Sequence, residues 1–322
     1  MVRQAHHESV NHKLHRYCWF LTVSTFALLV AGGLVTSTGS GLSVPDWPLS
    51  YGRFFPPMIG GIRFEHTHRV LAGFVGVLTF ILVILLSCFE KRRWVRLFGL
   101  LALASVAAQA VLGGMTVIHL LPMALSVMHA CLGQTFFALV VLLTLFTSRE
   151  WQESCPTAVS NDVRQSVQRL FAAASFFVYA QLVLGALIRH GEGRGVPYHL
   201  VAAFLIIFHL LLVTLKISKD PAVQSKLLKP VIFLGFLAIV QIFAGLGAFL
   251  FTQILPKTDM PGKWKVFFAT FHQTNGALIL ALVFLLTLRS FRLFQEKGAA
   301  LHQSHPHSSA LAFKQQLYES RI

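Results

Sequence analysis

The sequence is poor in charged residues. Asp, Glu, Lys and Arg make up 12% of its 322 residues, whereas hydrophobic residues make up 55%. A soluble domain carries about 25% charged residues, so this composition excludes an ordinary soluble globular protein. We therefore expect an integral membrane protein whose surface faces the lipid bilayer.

Cysteines and acidic residues are also scarce. The cysteines are scattered and form no C-x-x-C pair, which argues against a disulfide framework or a zinc site. The 12 acidic residues leave a net charge of +15, but the basic residues lie in loops between apolar runs, as membrane topology requires. We therefore predict no nucleic-acid partner. The four cysteines are Cys18, Cys88, Cys131 and Cys155.

Long hydrophobic runs are abundant. Eight of them reach the roughly 20 residues that a bilayer-spanning helix needs, and only helices or closed barrels satisfy the backbone in lipid. We predict an all-α integral membrane protein with eight transmembrane helices. The runs cover residues 17–36, 66–89, 95–117, 123–146, 168–189, 198–217, 230–252 and 266–288.

The basic residues predict the orientation. They are concentrated in an N-terminal segment (1–16), a linker (147–167), a tail (290–322) and two further loops on the same side. The positive-inside rule then places both termini in the cytoplasm of a cell-membrane protein. No small-residue cleavage site follows the first run, so we expect it to be retained. Both tails are rich in histidine, and we interpret them as solvated.

The chain repeats itself in two halves, 17–146 and 168–289. MHACLGQTFFALVVLLTL in helix 4 matches FHQTNGALILALVFLLTL in helix 8, and HRVLAGF in helix 2 matches HLVAAFL in helix 6. Each half has an even number of helices, so both halves run in the same direction. We therefore predict two parallel four-helix repeats, related by a pseudo-twofold axis along the membrane normal.

The repeat brings four histidines into register. His68 matches His199, and His129 matches His272, all near the outer ends of the even-numbered helices. Paired histidines on facing helices can hold a haem between them. A single histidine in a membrane helix is often just a polar contact, and copper or zinc would also accept imidazole. A third and fourth ligand for such an ion are not visible in either half.

FEHTHR, at the start of helix 2, adds a carboxylate to this pattern. Glu65 and His68 are three residues apart and share one helical face, where a carboxylate can stabilise positive charge or move protons. The alternative is that Glu65 caps the helix. We interpret His66 and His119 as interfacial. Arg69 is open to two interpretations, namely pairing with haem propionates or contact with lipid head groups.

Two stretches carry a resemblance to a known family. TGSGLSVPDWPLSYGRFFP (38–56) and EHTHR (65–69) resemble the haem A synthases, membrane enzymes of cytochrome oxidase assembly. The resemblance implies oxidation of a ring methyl of haem O to a formyl group, which gives haem A, and a resident haem b. It also implies haem O synthase (a farnesyltransferase) and oxidase assembly factors as partners, with a homo-oligomer as a further expectation.

The resemblance also implies roles for the site residues. His68 and His129 would flank the substrate haem in the N-terminal half, with Glu65 as the essential glutamate. His199 and His272 would ligate haem b in the C-terminal half. All four histidines would then be axial ligands of haem iron.

The sequence departs from the family in two places. Ser43 and Ser50 stand where many bacterial members carry two cysteines, so a disulfide-linked step is not expected in this loop. Relatives often read His-Arg in helix 6, where this chain reads His199-Leu200. His209, deeper in the same helix, therefore competes as a ligand, although it has no counterpart in helix 2.

Two other functions fit parts of the sequence. A dihaem electron carrier or quinol oxidoreductase would use the same histidine pairs, but it would leave Glu65 without a chemical role. A transporter would suit the parallel repeat, but it would place polar residues near the middle of the membrane. Here the titratable residues crowd one face.

Overall fold

The structure, a computed structural model, describes residues 11–191, 195–255 and 262–296. In these residues eight long, apolar helices confirm the predicted all-α membrane architecture. They are α1 (His12–Ser37), α2 (Ile62–Phe89), α3 (Arg93–Ile118), α4 (Met123–Thr147), α6 (Asn161–His190), α7 (Val196–Ser218), α8 (Pro221–Phe249) and α9 (Lys263–Leu293). A short helix, α5 (Arg149–Glu153), follows α4, and a π-helical turn (Leu250–Ile254) extends α8.

Several helices begin before the apolar runs because polar residues start them. Helix α6 begins at Asn161, where the side chain of Ser160 accepts a hydrogen bond from the first turn. Helix α8 begins at Pro221, and the carboxylate of Asp220 accepts the N–H groups of the two residues after that proline. Such side-chain acceptors satisfy the free N–H groups of a helix N-terminus. Helix α2 begins at Ile62, so the whole of FEHTHR is helical.

The end of the bundle opposite the site histidines has more structure than the sequence predicted. Strand β1 (Thr157–Val159), inside the predicted linker, pairs in parallel with strand β2 (Phe294–Glu296), inside the predicted tail. Arg289 also forms an ion pair with Glu150. Three-residue strands are too short to leave a recognisable alternation in the sequence, which explains why they were missed.

The N-terminal segment, predicted to be solvated, is partly helical. Helix α1 already begins at His12, with Asn11 accepting a hydrogen bond of 3.0 Å from Leu14 N. His15 lies in this helix, and its ring contacts the Thr147 hydroxyl at 3.3 Å. Residues 1–10 and 297–322, with the other tail histidines, lie outside the described residues.

Each half has its own apolar core, and a third cluster joins them. Helix α4 is the most buried span and α9 the next. Phe137 and Ala138 of α4 pack against Ala277 and Ala281 of α9 in this third cluster. Alanines let two helix backbones approach closely, as is common in membrane bundles. The two halves therefore meet along α4 and α9, and α1 and α6 each contact the opposite half as well.

Candidate functional site

Each of the four predicted histidines packs against a glycine of the preceding span. A Cβ on that glycine would lie 2.8 to 3.3 Å from Cε1 of the imidazole, closer than ordinary van der Waals contact. The histidine rings therefore lie directly on bare helix backbone, which explains a recurring use of glycine. The pairs are His68 with Gly32, His129 with Gly113, His199 with Gly185, and His272 with Gly245.

The C-terminal pair has the spacing of two opposed ligands. The ring centroids of His199 and His272 are 6.2 Å apart, and their planes cross at 67°. A metal binds an imidazole nitrogen at about 2 Å, so one iron between two imidazoles puts the ring centroids about 6 Å apart. This separation fits two imidazoles that would hold one haem between them.

Hydrogen bonds orient His272. Its Nδ1 lies 3.2 Å from the Gln241 carbonyl oxygen, and donation there leaves the lone pair on Nε2, which the Gln241 amide approaches at 3.4 Å. The same amide donates to the His272 carbonyl at 3.0 Å. Asn275 donates to Gln241 Oε1 at 2.8 Å and to the Leu237 carbonyl at 3.0 Å. This outer network fixes the ring as a ligand requires.

A glutamine recurs four residues before three of the four glycines. Gln109 donates to the carbonyl of His129 at 2.9 Å, and Gln181 donates to that of His199 at 2.9 Å. Together with Gln241, they tie three of the histidine-bearing helices to their neighbours. Sequence reasoning missed them, although the pattern Q-x-x-x-G was present in QAVLG, QLVLG and QIFAG. The fourth position is Leu28.

The remaining histidines leave one nitrogen unsatisfied. Nδ1 of His68, His129 and His199 is buried and has no hydrogen-bond partner among the described residues. A buried polar nitrogen without a partner is costly, and such an imidazole is not committed to a partner within the described residues, so it is available to a ligand. The residues of both pairs therefore fit a haem.

The spacing of Glu65 and His68 suggested that the carboxylate would face this histidine, but in the structure Glu65 points elsewhere. Its side chain is buried, with Oε2 accepting from Val44 N at 2.8 Å and Oε1 accepting from Arg69 Nη2 at 2.6 Å. Both oxygens thus bond to groups other than the first N–H groups of α2, so hydrogen-bonded capping is also not its role. The carboxylate faces the α1–α2 loop.

Arg69 holds the same loop. Its Nη1 donates to the carbonyls of Asp46 and Leu49 at 2.6 and 2.8 Å, and its Nη2 donates to the Val44 carbonyl at 3.1 Å. From the sequence the expected partners of Arg69 were haem propionates or lipid head groups; among the described residues its partners are loop carbonyls and Glu65. A guanidinium presents several donors in a rigid fork, and here the fork is filled by backbone carbonyls and Glu65.

His66 was predicted to be interfacial and is instead buried. Its Nδ1 lies 2.9 Å from the hydroxyl of Ser50, which is itself buried. The reason is that the α1–α2 loop folds back over this face of α2. His119, at the end of α3, is exposed, in keeping with an interfacial position.

The α1–α2 loop has further internal bonds. The Asp46 carboxylate accepts the N–H groups of Tyr51 and Gly52 at 2.7 and 2.8 Å. The Gly52 N–H, followed by Tyr51 N–H and the Arg69 charge, holds the pKa of Asp46 below its ordinary value. Tyr51 Oη donates to the Ser43 carbonyl at 2.8 Å. The loop is therefore an ordered structure.

His209 has a partner of its own. Its Nε2 lies 2.7 Å from the carbonyl oxygen of Leu170, and its ring contacts Phe177 edge to face. His209 Nε2 is thus hydrogen-bonded to the backbone, whereas the ring of His199 lies 6.2 Å from that of His272. This placement favours His199 as the ligand in α7.

Comparison with known proteins agrees with these features. Residues 15–60 and 62–198 match the model of the COX15-CtaA family, described as cytochrome oxidase assembly protein. The matched residues include Glu65, His68 and His129, whereas His199 and His272 lie beyond them.

Individual relatives carry the same description. The chain is 29% identical to a heme A synthase of Exiguobacterium sibiricum over 56% of this chain and 61% of the relative. It is 31% identical to a heme A synthase of another Exiguobacterium strain over 55% of this chain and 58% of the relative. A heme A synthase of Bacillus pumilus is 28% identical, over 52% and 57%. The matches span about three-fifths of these curated relatives. Because the family match covers more than half of it, the chain belongs to the COX15-CtaA family of cytochrome oxidase assembly proteins.

Proposed function

We propose that this protein is a haem A synthase, which oxidises a ring methyl of haem O to a formyl group and so makes haem A for terminal oxidases. The observation that carries the proposal is the pair His199 and His272, with ring centroids 6.2 Å apart, together with a second histidine pair held by the same kind of glycine contact. The heme A synthase relatives support it.

The N-terminal half is the proposed substrate site. His68 and His129 would flank haem O, each ring lying on a glycine of the preceding span. The family match includes both residues. Glu65 carries a negative charge at the same end of α2, but its carboxylate is already paired with Arg69. We therefore assign Glu65 two contributions, a field that favours positive charge in the site and a bond that holds the α1–α2 loop.

The C-terminal half is the proposed haem b site, with His199 and His272 as axial ligands. Haem b, when bound, supplies a one-electron redox centre. The protein's own contribution is to present the two rings at the right separation and to fix His272 through Gln241 and Asn275. This half lies mostly outside the family match, so its assignment depends on the geometry.

The internal repeat is part of the proposal. Helices α1–α4 and α6–α9 would form two parallel four-helix units, residues 17–146 and 168–289, related by a pseudo-twofold axis. The support comes from matched contacts: Gly113 and Gly245 lie under His129 and His272. An arrangement of this kind would place both haems at one depth.

We also propose the setting of the enzyme. The excess of Lys and Arg in the segments opposite the site histidines favours a cell-membrane protein with both termini in the cytoplasm. The histidines would then lie near the outer face. Haem O synthase would supply the substrate, and oxidase assembly factors would take the product.

The test is an analysis of haems from the purified full-length protein. We expect a reduced-minus-oxidised spectrum with a six-coordinate b-type signal, and mass analysis of the extracted haems should show haem A after coexpression with a haem O synthase. A membrane sample containing haem b, with haem O left unconverted, would instead support a dihaem electron carrier. A protein without any haem would contradict both.

A further inference from the structure

The α1–α2 loop is bound to one face of α2 through charged and polar side chains. Arg69 donates to three loop carbonyls, those of Val44, Asp46 and Leu49. Glu65 accepts the Val44 N–H from the same stretch. Every bond joins the side of α2 that carries the site to residues 44–49 of the loop. We call Glu65, Arg69 and these backbone groups the loop clamp.

The clamp also fixes an aromatic roof. Trp47 lies between the carbonyls held by Arg69, and one face of its indole covers Gly114 of α3, where a Cβ would lie 2.6 Å from the ring. The neighbouring Gly113 contacts the imidazole of His129. Because Gly113 and Gly114 are neighbours in α3, Trp47 and His129 contact adjacent faces of this helix at nearly the same depth. The loop thus lies against α2 and α3 at the histidine end of the N-terminal half.

The matching positions of the C-terminal half cannot form such a clamp. Aligning His68 with His199 puts Leu200 at the position of Arg69 and Val196 at that of Glu65. Helix α7 begins at Val196, only three residues before its histidine. The clamp therefore belongs to the half whose proposed occupant must enter and leave.

We propose that Arg69 is a positioning residue of the N-terminal site, which keeps the α1–α2 loop closed so that Trp47 forms the roof over the occupant of the His68–His129 pair. The existence of the clamp is independent of the reaction, whereas the identity of that occupant rests on the proposed function. Ser43 and Ser50 stand where a disulfide would otherwise be expected, so in this chain the loop would be closed by noncovalent bonds.

The chemistry of Arg69 explains why this residue type is needed. One guanidinium reaches three carbonyls and a carboxylate at once because its donors form a planar fork. A lysine would keep the charge opposite Glu65 but has a single nitrogen. A neutral side chain would leave Glu65 buried without its counter-charge, which is strongly unfavourable.

The first test compares Arg69→Gln with Arg63→Gln by hydrogen–deuterium exchange of the full-length protein in detergent. Arg63 lies on the same helix and is exposed, with its guanidinium over Phe64. Arg63→Gln therefore removes the same charge from α2 and is the matched control. We expect amides of residues 42–52 to exchange about tenfold or more faster in Arg69→Gln, with Arg63→Gln like wild type. Arg69→Lys should lie between them. Wild-type exchange in Arg69→Gln would overturn the proposal.

The second test changes a residue of α3 that contacts Trp47 and leaves the loop clamp intact. Gly114→Ala places a Cβ against the Trp47 ring, while alanine favours the helix, so this variant tests the proposal even if Arg69→Gln fails to fold. Gly235→Ala is the control, since a Cβ there meets no described atom within 4 Å. We expect faster exchange of residues 45–50 and a severalfold lower ratio of haem A to haem O, with an unchanged haem b spectrum.

The two readouts separate the proposal from the function. If wild-type protein makes no haem A, the exchange experiment still decides whether the clamp exists. If Gly114→Ala behaves like Gly235→Ala in both exchange and haem ratio, the roof has no role and the proposal falls, while haem A synthesis by the wild type still stands. Equal loss of both haems would show a general structural effect and would also overturn it.

Discussion

The two halves of the protein hold their histidines in the same way but are closed differently. In both, imidazoles lie on glycines of the preceding span, and glutamines tie the histidine backbone to that span. The N-terminal half adds a clamped loop at its end. The C-terminal half adds an internal network, in which Asn275 completes the bonds of Gln241. Under the proposed function, the first arrangement would control access and the second would fix a ligand.

The residues at matched positions explain this difference. Asn275 aligns with Leu132, and Gln241 aligns with Gln109. The Oε1 atom of Gln109 is buried without a hydrogen-bond partner among the described residues, whereas that of Gln241 accepts from Asn275. A fully bonded network holds its members in one arrangement. His272 is therefore the most firmly oriented of the four rings, which would suit the proposed haem b.

The largest effects are expected from replacing the histidines, and they should differ between the two halves. His272→Ala or His199→Ala should abolish the six-coordinate haem b spectrum, because each removes one of the two proposed ligands. His129→Ala or His68→Ala should abolish haem A formation but leave the haem b signal. Spectra and extracted haems of the four purified variants provide the measurement.

His209→Ala is the matched control for the ligand experiment. Because His209 bonds to the Leu170 carbonyl, its loss should leave the haem b spectrum nearly intact. A normal spectrum in His199→Ala, combined with a lost one in His209→Ala, would reverse the assignment of ligands in α7.

The next largest effect is expected from replacing Glu65, a member of the loop clamp in the N-terminal half. A full unit charge about 4 Å from a developing positive charge would be worth roughly 4 kcal/mol at an effective dielectric of about 20, or nearly a thousandfold in rate. Arg69 compensates much of that charge, so we expect Glu65→Gln to lower haem A formation by about ten- to a hundredfold, with haem b retained.

A double-mutant cycle separates the two contributions of Glu65. If Glu65 acts through the loop alone, Glu65→Gln and Arg69→Gln should have similar effects, and the double variant should be no worse than either. If the charge also favours the reaction, Glu65→Gln should be the slower single variant. Wild-type haem A yield in Glu65→Gln would exclude both contributions.

The sequence predicted the spans and the histidines but not the clamp. Hydropathy identified all eight helices because each run reaches the roughly 20 residues that span the hydrocarbon core, and the apparent repeat aligned the four histidines. The direction of Glu65 could not be predicted, because a spacing of three residues gives a shared face and not a rotamer. Its direction is decided by Val44, 21 residues away in a loop without periodicity.

Two other misses have different causes. His66 looked interfacial because its burial depends on the same loop, through Ser50. The glutamines were visible as Q-x-x-x-G, but a glutamine in a membrane helix is commonly a simple interhelical contact. Its link to the histidine became clear once the backbone carbonyl it contacts was known.

A smaller effect should distinguish the glutamine networks. Gln241→Leu removes the donor to the His272 carbonyl and the acceptor of Asn275, so we expect about tenfold weaker retention of haem b, a typical cost of losing an outer-shell partner. Gln109→Leu removes a single hydrogen bond and should change haem occupancy less. Leu28 already occupies the corresponding position beside His68. Haem titration of the detergent-solubilised protein would measure both, and equal losses would argue against a special network in the C-terminal half.

The smallest effects are expected from the glycines beneath the C-terminal ligands, and they test whether the ring separation matters. Gly245→Ala places a Cβ 2.8 Å from Cε1 of His272, whereas Gly185→Ala places one 3.3 Å from Cε1 of His199. The first contact must push the ring away from α8, but the second requires a shift of only a few tenths of an ångström. We therefore expect a severalfold loss of haem b affinity in Gly245→Ala and at most about a twofold loss in Gly185→Ala, since small overlaps are relieved by small movements. The haem titration used for Gln241 measures both, and the melting temperature of each variant without haem shows whether the helix itself has changed. If the order were reversed at unchanged melting temperatures, the 6.2 Å separation of the rings would not be the feature that accommodates the iron.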